Sequence, residues 1–335
     1  MTVSREIRLK SRPEGTPSAA NFEIASVELG APGTGEVLVR NTFMSVDPYM
    51  RGRMYDRESY VPPFQVGAAL QGGAIGEVVE SNAEGFAKGD LVSSFLGWRE
   101  AFIAPPAAAM LEKLPRNANV PDEAYLGVLG MPGLTGYAGL LEIGKPKPGD
   151  TVFVSGAAGA VGSVVSQVAK IKGCTVIASA GTDAKCDWLR AQGIDHAINY
   201  KTCGNLLAAV REAAPKGIDV YFDNVGGEHL EVAIEVARPF ARLVECGMIS
   251  GYNAMEAMPG PRNIIQVVGK SLTIRGFIVS EFAALRPQFL ADMTGWIADG
   301  KLKWEETVFE GVAKAPDAFI GLFSGGNTGK MLVRL

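Results

Sequence analysis

The run Val152-Phe153-Val154-Ser155-Gly156-Ala157-Ala158-Gly159-Ala160-Val161-Gly162 constrains this chain more than any other stretch. It joins a short apolar strand, a turn of small residues, and the start of a helix that continues through Ser163–Lys172. That order of elements lets a phosphate-bearing ligand lie on backbone N–H groups at a helix N-terminus, where the helix dipole favours negative charge. The strict dinucleotide fingerprint G-x-G-x-x-G is not met, because Ala157 holds the first glycine position. Gly159 still lets the backbone approach a pyrophosphate, and Gly162 still lets helix and strand pack closely. A glycine-rich turn can also close a strand–helix connection with no ligand, so its neighbourhood decides. Strand-like runs recur at Thr175–Ala180, His196–Asn199, Asp219–Asp223, Ala241–Cys246 and Leu272–Ile278, with helical stretches between them. Such alternation predicts an α/β fold with a doubly wound parallel sheet, and with it a nucleotide cofactor.

The glycine turn lies near the middle of 335 residues, so a large block precedes it. A chain of this length exceeds one ordinary core and predicts two domains. From Arg5 to about Pro115 the chain shows short alternating strands broken by Gly and Pro, such as Glu36–Arg40, Gly76–Glu80 and Asp90–Ser94. Closely spaced strands of this kind predict a compact antiparallel barrel or sandwich. Lys88-Gly89-Asp90 and Pro148-Gly149-Asp150 read as turns with no necessary chemistry. Gly130–Tyr137 starts a small-residue helix running toward Ile143, whose glycines suit a hinge or a close contact.

Charge and composition exclude several functions. A net charge of −4 gives no support for nucleic-acid binding, which shows a basic excess. The opening residues Met1–Glu6 lack an apolar signal core, and no run approaches the roughly 18 apolar residues of a membrane helix. The expectation is a cytoplasmic protein with no membrane partner. The cysteines are Cys174, Cys186, Cys203 and Cys246, with no C-x-x-C pair, and the histidines are His196 and His229. The block before Cys174 therefore lacks both residue types that zinc sites draw on most. We expect chemistry without a metal, and cysteines that are free thiols packed as small hydrophobes.

Charge also bears on which nicotinamide cofactor would fit. An NAD site places a carboxylate at the end of the second strand to bind the ribose 2′-hydroxyl. Here that strand ends Ile177-Ala178-Ser179-Ala180-Gly181-Thr182, with no acid at the contact point. Asp183 follows and is expected to cap the next helix, beginning near Ala184. Lys185, one position into that helix, either faces a 2′-phosphate or is a solvated surface charge.

Six motifs occur in a fixed order: Val46-Asp47-Pro48-Tyr49-Met50-Arg51-Gly52-Arg53-Met54, Gly130-Met131-Pro132-Gly133-Leu134-Thr135, Ala157–Gly162, Asp223-Asn224-Val225-Gly226-Gly227, Cys246–Asn253 and Gly326-Asn327-Thr328-Gly329-Lys330. Through them nearly the whole chain resembles the zinc-independent medium-chain dehydrogenases/reductases, specifically the alkenal and prostaglandin double-bond reductases and the bacterial NADPH-dependent curcumin reductases. Tyr49–Met54 and Ser59–Pro63 bring it nearest to the curcumin reductases. Gly136 stands where the family often has alanine, a departure expected to loosen that helix slightly.

The resemblance implies a GroES-like, mostly antiparallel β-barrel catalytic domain at 1–128 plus 299–335, and a Rossmann NADPH-binding domain at 129–298. It implies that Gly159, Ala160, Val161 and Gly162 hold the pyrophosphate. Lys185 and Tyr200 then meet the 2′-phosphate, selecting NADPH over NADH. Asn224 lies near the cofactor, and Cys246, Gly247, Met248, Ile249, Ser250, Gly251 and Tyr252 wrap its ribose and nicotinamide side. Phe277, Ile278 and Val279 border the nicotinamide, and Asn327 returns to close the cleft. The residues alone leave Phe277–Val279 as ordinary sheet core and both asparagines as turn stabilisers.

Hydride delivered to the β-carbon of an unsaturated ketone or aldehyde creates an enolate, and donors aimed at the carbonyl oxygen stabilise it. Tyr252 matches the family tyrosine near that carbonyl, with ribose contact or plain packing as its alternatives. Tyr49 and Tyr60 are candidates for lining the substrate cleft. The family implies a homodimer joined along Leu272–Ile278. An NADPH:quinone reductase and a non-enzymatic nucleotide-binding protein remain the competing readings.

Overall fold

Val152, Val154, Val176, Ile177, Val220 and Val244 carry branched side chains that fit a pleated surface better than a helix. Each lies in a parallel strand of the computed structural model. The structure describes residues 2–116 and 120–335. Contacts divide the chain into two units, Met1–Leu126 with Glu306–Leu335, and Gly127–Glu305.

Among the described residues, the second unit builds a six-stranded sheet. Its strands are β1 (Thr151–Val154), β2 (Thr175–Ala180), β3 (His196–Asn199), β4 (Ile218–Asp223), β5 (Ala237–Glu245) and β6 (Thr273–Gly276). They lie in the order β3-β2-β1-β4-β5-β6, and every neighbouring pair is parallel. Helices α1 (Ala160–Ile171), α2 (Asp183–Ala191), α3 (Leu206–Ala213) and α4 (Glu228–Val236) connect the first five strands. This is the expected doubly wound sheet. The strand order reverses between β1 and β4, where such sheets open a ligand crevice beyond their carboxyl ends. Phe153, Ile177, Tyr221 and Leu243 form one apolar cluster with Leu206, Val210, Leu230 and Ile234 from α3 and α4. The last strand is shorter than the expected Leu272–Ile278, because Phe277 and Ile278 leave the sheet before the helical turn Val279–Leu285.

The turn between β1 and α1 works because two of its residues have no side chain. Gly156 holds φ +56°, a left-handed conformation that glycine adopts without strain. A Cβ on Gly162 would stand 2.4 Å from the Gly156 carbonyl oxygen and 2.7 Å from Ala157 Cα. Both obstacles are main chain. Ala157, at the first glycine position, is fully buried.

In the first unit, Val37–Ser45 is the strand from which the sheet grows. It pairs with Ala74–Ser81, Ala101–Ala104 and Lys330–Arg334, all antiparallel. Leu91–Ser94 and Glu112–Lys113 continue one side, while Glu306–Glu310 adds a parallel strand beyond Lys330–Arg334. A second hairpin pairs Thr2–Leu9 with Phe22–Leu29. Trp98 is fully buried between the rings of Phe22 and Phe319, 6.1 and 5.9 Å away. Among the described residues no helix is long and apolar enough to cross a membrane.

A buried ion pair fastens two distant motifs within this unit. Lys330 Nζ lies 2.8 Å from Asp47 Oδ1, with side chains only 4% and 7% exposed. The ammonium also donates to the Val46 carbonyl at 2.9 Å, and the Ser45 hydroxyl donates to Asp47. Each charge is bonded, so removing one partner strands the other in a dry interior.

Two outcomes follow for stability. Gly162→Ala should cost about 1–3 kcal/mol, as overpacking against an immovable backbone does, and lower the urea midpoint of the parallel-sheet unit. Lys330→Met should cost about 3–5 kcal/mol, with Asp47→Leu in the same chain recovering much of it. Equal losses in the single and double variants, measured by urea unfolding, would contradict the second.

Candidate functional site

Helix α1 begins with Gly159 as its N-cap at φ −84° and ψ 175°, and no side chain caps it. The first-turn N–H groups of Ala160, Val161 and Gly162 therefore leave the helix end without an intrahelical acceptor. The Gly159 N–H donates to the Gly156 carbonyl at 3.0 Å, and the Ala157 N–H donates to Ser179 O of β2 at 2.9 Å. Those two bonds hold the turn against the sheet. Uncapped amides at a positive helix end fit a pyrophosphate.

A second anion corner forms at the carboxyl end of β2. A Cβ on Gly181 would lie 3.0 Å from the Tyr200 hydroxyl and 3.3 Å from Lys201 Cε. Burial first, and the charge of Lys201 second, hold the Lys185 ammonium below the usual lysine range. Two mutually repelling cations beside a hydroxyl mark a place prepared for negative charge. Thr182, not Asp183, is the N-cap of α2, its hydroxyl accepting the Lys185 N–H at 3.3 Å. Asp183 is the first helical residue, and its carboxylate accepts from Asn199 Nδ2 at 2.7 Å. The cap moves because Thr182 has the extended backbone (φ −149°) that a cap requires. The sequence reading missed Lys201, whose one signal was its place next to Tyr200.

Asp223 ends β4 and is completely buried. Its Oδ1 accepts from the Ser155 hydroxyl at 2.8 Å, the Tyr221 hydroxyl at 2.7 Å, and the Val225 and Gly226 N–H groups at 2.8 Å each. Its main-chain carbonyl accepts the N–H groups of Cys246 and Gly247 at 3.0 and 3.1 Å. Asn224 Nδ2 donates to the Ser155 carbonyl at 2.7 Å, while the Asn224 carbonyl accepts the Ile249 N–H at 3.2 Å. The Ser250 hydroxyl donates to Val225 O at 2.6 Å. The structure thus brings Asn224 and Cys246–Ser250 into one bonded assembly beyond β4 and β5. Asn224 acts here through the turn it ties together.

Tyr252 is half-buried, and its hydroxyl accepts from the Met248 N–H at 3.4 Å. A Cβ on Gly247 would be 2.9 Å from that oxygen, so glycine at 247 gives it room, and Gly251 closes the turn onto Met248 O at 2.9 Å. Burial, Asp223 and Glu245 push the Cys246 thiol up to about 12, which keeps it protonated and unreactive as a nucleophile. Cys246, Gly247, Met248, Phe277 and Ile278 line one cleft of about 420 Å³ with Glu245, Gly276 and Glu281. The Phe277 ring is only 8% exposed and packs edge-on against Phe282, while the Ile278 N–H donates to Glu281 at 2.8 Å. Val279 starts the helical turn that follows.

In the first unit Tyr49 precedes the short helix Met50–Arg53. Burial, then Asp47, raise its hydroxyl well above the usual tyrosine range, so it is a donor at any working pH. Tyr60 is 63% exposed. Arg53 acts electrostatically on both hydroxyls, stacks over the Phe64 ring at 4.0 Å, and is held by burial below the usual arginine range. Arg53 donates to Pro62 O at 2.9 Å and Gln71 Oε1 at 3.1 Å, and its Nη1 has no hydrogen-bond partner among the described residues. The sequence reading quoted Arg53 in a motif without giving it a role. Asn327 donates to Gly329 O at 2.7 Å and shapes its own turn. Among the described residues no group of three or more His, Cys, Asp or Glu could hold a metal ion.

Residues 5–114 match the family described as the N-terminal domain of oxidoreductase, and residues 160–295 match that described as zinc-binding dehydrogenase. The NADPH-dependent curcumin reductase of Escherichia coli (strain K12) is 39% identical across 98% of this chain and 95% of its own. The 2-alkenal reductase (NADP(+)-dependent) of Nicotiana tabacum is 41% identical across 98% and 97%. Among solved structures, CurA from Vibrio vulnificus in complex with NADPH is similar at a TM-score of 0.92 and 40% identity, covering 98% of both chains.

Proposed function

This chain belongs to the medium-chain dehydrogenase/reductase family that includes the curcumin and 2-alkenal reductases, and from that premise we propose that it reduces the carbon–carbon double bond of α,β-unsaturated ketones and aldehydes with NADPH. The observation that carries this reading is the pairing of a bare-amide cradle at Gly159–Gly162 with the two-lysine corner at Gly181. Together they suit a pyrophosphate and a 2′-phosphate on one ligand. The likeness to an NADPH-bound relative along the whole chain supports the same assignment.

NADPH supplies, when bound, a hydride for the β-carbon of the acceptor. The amides of Ala160, Val161 and Gly162 would hold the pyrophosphate. Lys185 and Lys201, with the Tyr200 hydroxyl, would hold the 2′-phosphate and reject a cofactor lacking it. Cys246–Gly251, tied in place by Asp223 and Asn224, would border the ribose and nicotinamide with Phe277–Val279. Tyr252 would donate a hydrogen bond to the substrate carbonyl oxygen as enolate charge develops there. The α-carbon takes its proton from Tyr252 or from water. Tyr49, Tyr60 and Arg53 belong to the substrate side, and we assign Asn327 a further cofactor contact.

Strand β6 is an exposed edge of the sheet, and Ile265 and Val268, which precede it in the chain, are exposed by 74% and 77%. An open apolar edge of this kind suits pairing with a second copy. We therefore read the working form as a homodimer.

NADPH consumption should be measured on a panel of enals, enones, quinones and simple ketones. The expected result is turnover of enals and enones to saturated carbonyl compounds, and turnover of quinones alone would overturn the proposal. Tyr252→Phe should lower enone turnover about 10²–10³-fold, the usual loss for one donor to a developing oxyanion, while NADPH still binds. Lys185→Ala should weaken NADPH about 10–100-fold, the worth of one charge-assisted bond, and leave NADH nearly unchanged. Equal effects on both cofactors in a binding titration would remove Lys185 from the 2′-phosphate site.

A further inference from the structure

A row of side chains crosses the carboxyl end of the sheet on one face. Asp223 of β4 stands opposite Glu245 of β5, and Glu245 stands opposite Gly276 of β6. Ser155, just past β1, joins the row through its bond to Asp223. Parallel strands lie about 4.8 Å apart, so the two carboxyl groups are immediate neighbours. Asp223 Oδ2 and both Glu245 oxygens are buried, and none has a hydrogen-bond donor among the described residues. Two acceptor-only groups cannot sit this way unless a proton lies between them. Gly276 offers no side chain on the far side of Glu245, and there the 420 Å³ cleft opens.

We propose that Glu245 is a positioning residue for the cofactor: it holds one proton in common with Asp223, and that proton keeps the Asp223 side chain seated as the acceptor that fixes the Val225–Gly226 main-chain arm. This inference rests on the NADPH reading given above. The mechanism asks nothing of Glu245, yet its neighbour Asp223 anchors both this arm and Cys246–Gly247 through four hydrogen bonds, Val225 and Gly226 on Oδ1 and Cys246 and Gly247 on its carbonyl. Losing the shared proton would put two negative charges side by side in a dry row. Relief requires one carboxylate to swing away, and where that is Asp223 the Val225–Gly226 arm goes with it.

The surroundings favour the protonated pair. Burial first, and Asp223 second, raise the Glu245 carboxyl to about 8. The Tyr221 hydroxyl faces the pair from β4, the Ser155 hydroxyl from β1, and the Cys246 thiol from the end of β5. His229 of α4 responds to Asp223 but is held at about 4 by burial, and so stays neutral. Glu281 lines the same cleft and lies 3.7 Å from Arg275. None of the groups acting on Glu245 is a cation.

The test is NADPH affinity by fluorescence titration from pH 6.5 to 9.5, in the full chain and in Glu245→Gln. The unaltered chain should lose at least fivefold in affinity as pH rises through about 8. The glutamine variant should lack that component, because its amide donates to Asp223 at every pH. Any other group that titrates in this window does so in both proteins, so only their difference reports on Glu245. Parallel profiles with normal binding overturn the positioning role and leave the cofactor reading standing. A folded chain that binds NADPH at no pH overturns both. Should Glu245→Gln fail to fold, Glu245→Val, which carries no proton either, should show the same missing component.

A second readout needs no cofactor. The folded chain binds the Glu245 proton up to about pH 8, whereas an unfolded glutamate releases it near its ordinary value of about 4.3. The folded state therefore holds more protons across that window, and its stability falls as pH rises through it. The thermal midpoint should decline from pH 5 to 8 relative to that of Glu245→Gln and run parallel above. Parallel midpoints from pH 5 to 9 would overturn the shared proton itself.

Discussion

The carboxyl ends of the parallel sheet are organised around one buried acceptor. Asp223 collects the Ser155 and Tyr221 hydroxyls and two main-chain N–H groups on a single oxygen, and its carbonyl takes two more from the neighbouring strand's continuation. A carboxylate without water is tolerable only when donors of this number surround it. The dependence runs both ways, because those donors belong to the loops that border the candidate cofactor site. Val225–Gly226 and, through Ser155, Asn224 are fixed by reference to this side chain, and Cys246–Gly247 by the same residue's carbonyl. The loops therefore keep their shape through bonds to the sheet, while their outer faces remain available.

The opposite end of the same crevice is governed by absence of side chains. Gly162 lets α1 meet the β1 turn at a distance no Cβ permits, and Gly181 lets Tyr200 and Lys201 fold over the end of β2. Close approach at Gly162 exposes amides, and close approach at Gly181 gathers cations. The two solutions suit different parts of one ligand: a pyrophosphate takes hydrogen bonds in line with a helix axis, whereas a terminal phosphate takes point charges. The first unit relies on a different device. Its Asp47–Lys330 pair brings charge into the core to fasten Val46–Tyr49 to the Gly326–Lys330 turn.

The parallel sheet was legible because β-branched residues recur in short runs separated by helical stretches, and each run became a strand. The first block's mostly antiparallel sheet was legible from the same alternation at shorter spacing. What escaped sequence reading depends on neighbours across strands or in space. Thr182 takes the cap that Asp183 was expected to hold, because backbone geometry, not side-chain type, selects between adjacent capping residues. Lys201 and Arg53 gain their significance from Gly181 and from the two tyrosines respectively, and no spacing rule connects those positions. Glu245 reads in sequence as one more strand-end acid. Only the register that sets it against Asp223 on one side and Gly276 on the other gives it chemistry.

Hydride transfer to a carbon–carbon double bond leaves an isotopic signature in the product. The chain should be incubated with an α,β-unsaturated ketone and NADPH deuterated at both C4 positions, and the product examined by NMR. The expected product is a saturated ketone with one deuterium on the carbon β to an intact carbonyl. Deuterium on the carbonyl carbon of an allylic alcohol, or no deuterium in any product, would contradict it.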